Sequence, residues 1–190
     1  MTSSDELALP EGAIEELQDA VGLQLAATCD GSGLRIALAA ARFNGGITRR
    51  LIDGALAGLA ACSVEPADVS LAWVPGAFEL PLLAQHFTTW DSVDAVVCLG
   101  AVIRGETGHY DFVAGECAAG LQRVQLDSHT PVVFGVLTTD TLEQALERSE
   151  PDHANKGREA VLSALNAASV LSSVTSSSGG SRVGFSVGRR

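Results

Sequence analysis

The feature that most constrains this chain is an alternation. Short apolar runs at 34–41, 69–74, 93–103 and 131–137 each give way to segments in which apolar residues recur at helical spacing. Those segments are 47–62, 78–90, 111–126, 141–149 and 156–171. In the first of them Ile47, Leu51, Ile52, Ala55, Leu56 and Leu59 fall on one face. A strand that is apolar on both faces must be covered on both faces, which is the habit of parallel sheets. Strand-to-helix-to-strand connections are right-handed, so four rounds predict an open, doubly wound α/β/α sandwich around a four-stranded parallel sheet. Pro81 is tolerable in a helical first turn. Thr139 or Asp140 is the expected N-cap of 141–149, and Asn155 that of 156–171.

The ends read differently. Residues 1–34 hold seven acids (Asp5, Glu6, Glu11, Glu15, Glu16, Asp19 and Asp30) and no Lys or Arg. We expect 1–33 to be an acidic extension, with one amphipathic helix candidate at 14–21, and 172–190 to be a flexible Ser/Gly-rich tail. The single domain is then 34–171. A chain of 190 residues suits one such core. A formal net charge of −11 argues against a surface that neutralises nucleic-acid phosphates, but leaves room for a local basic pocket. Cys29, Cys62, Cys98 and Cys117 have no metal or redox spacing, and Cys62 and Cys98 sit in apolar runs as small core residues. No leader pattern opens the chain and no apolar run is long enough for a membrane span, so a cytoplasmic protein is expected.

In doubly wound sheets ligands bind beyond the carboxyl ends of the strands. The unusual residues gather there. Arg42-Phe43-Asn44 follows the first run, and Phe43 is either a hydrophobic plug or a stacking face for a flat heterocycle. Pro75-Gly76-Ala77-Phe78-Glu79-Leu80-Pro81 turns straight into a helix, where Glu79 suits the helix dipole as readily as a ligand. After the third run comes Arg104-Gly105-Glu106-Thr107-Gly108-His109-Tyr110-Asp111. Its two glycines would let the backbone amides turn inward as a phosphate nest. His109 has a side chain whose ordinary pKa suits proton transfer near neutrality. Arg148 is either a helix C-terminal cation or the counter-charge for a phosphate. His86, His129 and His153 receive no role.

Together the blocks are specific. Phe-Asn, Pro-Gly-Ala-Phe-Glu-Leu-Pro, Gly-Ala-Val-Ile-Arg-Gly-Glu-Thr-x-His-Tyr-Asp, Phe-Gly-Val-Leu-Thr-Thr and Asn-Lys-Gly, in this order and spacing, resemble the lumazine synthase family across about residues 34–168. The resemblance implies a flavodoxin-like, doubly wound fold and a transferase of riboflavin biosynthesis. Such an enzyme condenses 5-amino-6-ribitylamino-uracil with 3,4-dihydroxy-2-butanone 4-phosphate and loses phosphate and water. It implies no metal or organic cofactor. It also implies homopentamers, or assemblies of pentamers, with sites between subunits and no nucleic-acid or membrane partner.

By the same resemblance Phe43 stacks on the pyrimidinedione and Asn44 lies near the ribityl chain. Ala77, Phe78 and Glu79 hold the ribityl hydroxyls, and Val102 and Ile103 offer backbone to the ring. Gly105, Glu106 and Thr107 bind phosphate, and His109 moves protons. Phe134, Arg148 and Lys156 come from the adjacent subunit. One stretch departs from the family: Ser149-Glu150-Pro151-Asp152-His153-Ala154 carries acids where the family often has glycine and lysine. Two other classes compete. A flavin-binding electron carrier would want a hydroxyl-rich loop after the first strand, which Arg42-Phe43-Asn44-Gly45-Gly46 does not supply. A non-catalytic shell protein would not need Phe43, His109 and Arg148.

Overall fold

A computed structural model describes residues 21, 24–25, 28–89 and 93–178. The helix candidate at 14–21 lies, apart from Val21, outside the described residues, as do Trp90 and residues 179–190. Four strands appear: β1 (Ile36–Ala41), β2 (Val69–Val74), β3 (Ala95–Ile103) and β4 (Val132–Thr139). They alternate with α1 (Gly45–Ala61), α2 (Leu80–Thr88), α3 (His109–Ser128), α4 (Leu142–Glu147) and α5 (Lys156–Ser178). All pairings are parallel, and the order across the sheet is β2-β1-β3-β4.

The two-residue period of the strands divides the core. Leu38 and Ala40 of β1, with Val97 and Leu99 of β3, pack with Leu51, Leu59, Val161 and Leu165 of α1 and α5. Their neighbours Ala37, Ala39, Val96 and Cys98 face the opposite way, against Leu80, Phe87, Cys117 and Leu121 of α2 and α3. A fully buried leucine is worth roughly 1.5–3 kcal/mol, so two such layers hold the central strands from both sides. The alanine-rich β1 lets both layers approach closely. The edge strand β2 is covered less, with Leu71 and Trp73 exposed. Leu56 of α1 also points to solvent, although its spacing puts it near the apolar face.

Three local expectations are corrected. The side chain of Thr141 caps α4, accepting from the Gln144 amide at 3.3 Å. Thr139 instead ends β4, and its hydroxyl donates to the Thr141 carbonyl at 3.0 Å. The last helix continues past Leu171 to Ser178, because serines tolerate a helical register whose hydroxyls bond back to carbonyls four residues earlier. Cys62 is buried as expected but is bonded to Cys29, a partner thirty-three residues away that no local spacing reveals.

Candidate active site

From β1 the chain pairs next to β2 on one side and later to β3 on the other, so the winding reverses between β1 and β3. Their carboxyl ends therefore diverge into a crevice. Two backbone bonds extend the β1–β2 pairing into the loops: Arg42 N to Val74 O at 2.9 Å and Phe43 N to Pro75 O at 3.0 Å. Asn44 then adopts a left-handed conformation (φ 55°, ψ 35°), which asparagine tolerates better than most residues. Its Nδ2 donates to the Ala101 carbonyl at 2.9 Å, fastening the end of β1 to β3. Phe43 is left projecting, 72% exposed, and so plugs nothing within the chain.

The crevice holds a cavity of about 440 Å³. Phe43 stands on one side of it, and Ala77, Phe78 and Glu79 on the next loop. Val102 and Ile103 line it from the end of β3, followed by Gly105, Thr107 and His109. Tyr110 and Val113 of α3 line it too, and sequence reasoning left them out. Tyr110 is the only tyrosine in the chain and directly follows His109, which is the signal that was available. Two expected residues stand apart: Asn44 is engaged with Ala101, and Glu106 is exposed on the loop without lining the cavity. Glu79 has a local duty, since its Oε2 accepts from the Gly76 amide at 2.9 Å and closes the turn before α2.

The glycine-rich loop spans residues 105–108, between β3 and α3. Neither Gly105 nor Gly108 lies in the left-handed region, and a Cβ on either would meet nothing within 4 Å. Their expected conformational role is therefore corrected: what they provide here is bare, approachable backbone. The loop is bounded by Arg104, whose guanidinium meets Asp140 at 3.0 Å, Asp111 at 3.2 Å and the face of Tyr110 at 3.9 Å. The hydrogen bonds it donates to Asp111 first, then to Asp140, push the Arg104 pKa further up.

This arrangement places an aromatic face, a histidine at a helix N-terminus and a bare-backbone loop around one largely apolar hollow. It suits a flat heterocycle bearing polar groups and an anionic co-substrate. Comparison with known proteins decides the family. The profile of 6,7-dimethyl-8-ribityllumazine synthase matches residues 33–172. Enzymes of that name from two strains of Thermus thermophilus are each 49% identical over 143 residues, covering 75% of this chain and 91% of theirs.

The chain belongs to the lumazine synthase family.

Membership makes it an enzyme, a transferase of riboflavin biosynthesis. Among the described residues, no helix is long and apolar enough to cross a membrane.

The remaining residues singled out from the sequence lie elsewhere. Phe134, Arg148 and Lys156 line a second hollow of about 330 Å³ beside β4 and α5, which shares no residue with the first. Arg148 follows the last turn of α4, and its Nη1 donates to the Gln144 carbonyl at 3.1 Å. Lys156 is paired with both carboxylate oxygens of Glu159, at 2.7 and 2.6 Å. One chain thus does not bring Arg148 to the cavity of His109.

The Asn-Lys-Gly block has a structural cause as well. Asn155 is buried, and its Oδ1 accepts from the amides of Gly157 at 2.9 Å and Arg158 at 3.3 Å, capping α5 as expected. Its Nδ2 donates to the carbonyls of Glu150 at 2.9 Å and Arg50 at 3.3 Å, tying the cap to α1. The contact is close enough that a Cβ on Gly157 would lie 1.9 Å from the Leu51 carbonyl oxygen, and one on Gly54 would lie 2.1 Å from Asn155 Oδ1. Sequence reading passed over Gly54. Its signal was a glycine inside a strong helical pattern, where it costs stability unless packing requires it. Of the three residues in the block, Lys156 alone reaches outward to the second hollow.

Proposed function

We propose that the chain condenses 5-amino-6-ribitylamino-uracil with 3,4-dihydroxy-2-butanone 4-phosphate to 6,7-dimethyl-8-ribityllumazine, releasing phosphate and water. The observation that carries this reading is the convergence of Phe43, the 105–108 loop and His109 on one cavity, in a chain of this family. Phe43 stacks on the pyrimidinedione, and the backbone of Val102 and Ile103 meets its edge. Ala77, Phe78 and Glu79 face the ribityl hydroxyls, with Asn44 beside them holding β1 to β3. Gly105, Glu106 and Thr107 present amides to the phosphate.

The substrate amine is the nucleophile. It attacks the ketone carbon, and loss of water gives an imine. The C–O bond to phosphate then breaks, and the bonding electrons leave with the phosphate. His109 takes and returns the protons these steps displace. A second amine then closes the ring with loss of water. The protein's main contribution is proximity and orientation, so no cofactor is required by this scheme.

Phe134, Arg148 and Lys156 enter from a neighbouring copy, Arg148 on the phosphate and Lys156 near the ring. The separation of the two hollows on one chain supports this, as does the exposure of Phe43, Phe78 and Phe134. The assembly is a cytoplasmic homo-oligomer, a pentamer or a set of pentamers, joined head to tail. The domain is 34–171, with the flanking segments outside the site. Incubating the purified protein with both substrates and following lumazine absorbance tests the activity. Product should form with equimolar phosphate, and no product from an assembled, folded sample would refute the assignment.

A further inference from the structure

Arg104 does not line the cavity, yet it touches what lies at both ends of the 105–108 loop. Its backbone amide donates to the Thr139 carbonyl at 2.9 Å, carrying the β3–β4 ladder to the edge of the loop. From there Nε donates to Asp140 Oδ1 at 3.0 Å and Nη2 to Asp111 Oδ1 at 3.2 Å. The guanidinium carbon sits 3.9 Å from the centroid of Tyr110. Tyr110 and Asp111 belong to the first turn of α3, immediately after His109. One planar fork therefore bridges the end of β4, the exit of β3 and the start of α3.

The loop needs such a hold. Neither of its glycines packs against anything within 4 Å of a would-be Cβ, and Glu106 and Thr107 are exposed. Bare backbone receives an anion well only when its amides are already arranged, because ordering them on binding subtracts from affinity. There is also a charge problem. Asp111 and Asp140 flank the loop, and uncompensated carboxylates there would repel a phosphate.

We propose that Arg104 is a positioning residue for the phosphate-bearing substrate: its fork clasps Asp140 to the first turn of α3, holds the 105–108 amides in their receiving arrangement and neutralises the two flanking carboxylates. This rests on the reading of the loop as the phosphate site. Lysine, with one point charge and no fork, supplies the charge without the double attachment.

The test begins with wild-type protein and both substrates. Absence of lumazine formation there refutes the function, whatever Arg104 does. With activity established, Arg104→Ala should raise the KM for the butanone phosphate about fivefold and weaken competitive inhibition by inorganic phosphate by the same factor. The KM for the uracil substrate should stay unchanged. Arg104→Lys should recover part of the loss. Adding Asp140→Asn to Arg104→Ala should cause no further weakening and should restore part of the phosphate inhibition, because the clasp is already open and one repelling carboxylate is gone. A folded Arg104→Ala protein with unchanged phosphate inhibition overturns the proposal, as does an equal rise in both KM values. Should Arg104→Ala fail to fold, unchanged phosphate inhibition in Arg104→Lys overturns it equally.

Discussion

The Nδ2 of Asn44 donates to the carbonyl oxygen of Ala101 at 2.9 Å, binding the carboxyl end of β1 to that of β3 beside the candidate crevice. Asn44 does this from a left-handed backbone conformation. Asn44→Gly should lose the hydrogen bond alone, about 0.5–1.5 kcal/mol. Asn44→Ala should lose the bond and add the left-handed cost, roughly 1–2 kcal/mol more. Urea denaturation of the two variants separates the terms. Equal stability of both variants would mean the backbone there relaxes freely.

Gly157 is pressed against the Leu51 carbonyl oxygen, whereas Gly105 faces open space. Gly157→Ala must push α5 away from α1, and we expect a loss of about 3 kcal/mol or an insoluble protein. Gly105→Ala should leave stability within about 0.5 kcal/mol of wild type. Comparable melting temperatures for the two variants would contradict the close docking of α5.

Phe43→Ala should weaken binding of the uracil substrate or a product-like pyrimidine while sparing phosphate binding. Stacking is worth about 0.5–1.5 kcal/mol beyond area burial, so roughly a three- to tenfold loss is expected. Calorimetric titration with each ligand separately distinguishes this from a general disturbance, which would weaken both.

His109→Ala should lower turnover by about a hundredfold, the lower end for a general acid–base group, since the substrate amine keeps its own reactivity. Arg148→Ala should be nearly inactive by losing the phosphate's counter-charge. Refolded together in equal amounts, the two variants should regain activity, because roughly a quarter of head-to-tail interfaces would join an intact His109 face to an intact Arg148 face. Mixed oligomers verified by mass spectrometry that show no recovery would refute a site shared between copies.

Cys98 and Cys117 are buried thiols facing the layer of α2 and α3. Burial pushes Cys117 from 9.0 up to about 12, and raises Cys98 further, by burial first and then by Cys117. A raised folded-state value means the neutral thiol is favoured in the folded state. The stability it contributes is complete below the unfolded-state pKa and is lost as pH rises through the folded one. Urea midpoints should therefore fall between about pH 9 and pH 12, and less steeply in Cys98→Ala/Cys117→Ala. In native protein near pH 8 both thiols should resist alkylation, and labelling without unfolding would contradict their burial.

The sequence by itself determined the class of fold and pointed to the crevice beyond the strands. Apolar runs alternating with amphipathic segments admit little besides a covered parallel sheet, because only that arrangement buries strands such as 34–41 and 93–103 on both faces. Glycines, a lone aromatic and His109 just past those runs then mark the crevice. What depends on distant parts of the chain meeting was decided only by the tertiary structure. The order β2-β1-β3-β4 rests on which strands pair, which periodicity does not encode. The cap of α4 moved to Thr141 because strand pairing runs on through Thr139. Asn155 and Gly157 were legible as a cap and a motif, but their docking on Leu51 and Gly54 needs two helices in contact. Likewise, nothing local joins Cys29 to Cys62, or Arg104 to Asp140, thirty-six residues apart. The sequence reading placed Arg148 on a neighbouring copy; the separate hollows that hold His109 and Arg148 on one chain are visible only in the folded structure. Local composition selects elements and their faces; contacts between elements are set by how the folded layers stack, and that geometry exists only once the core has closed.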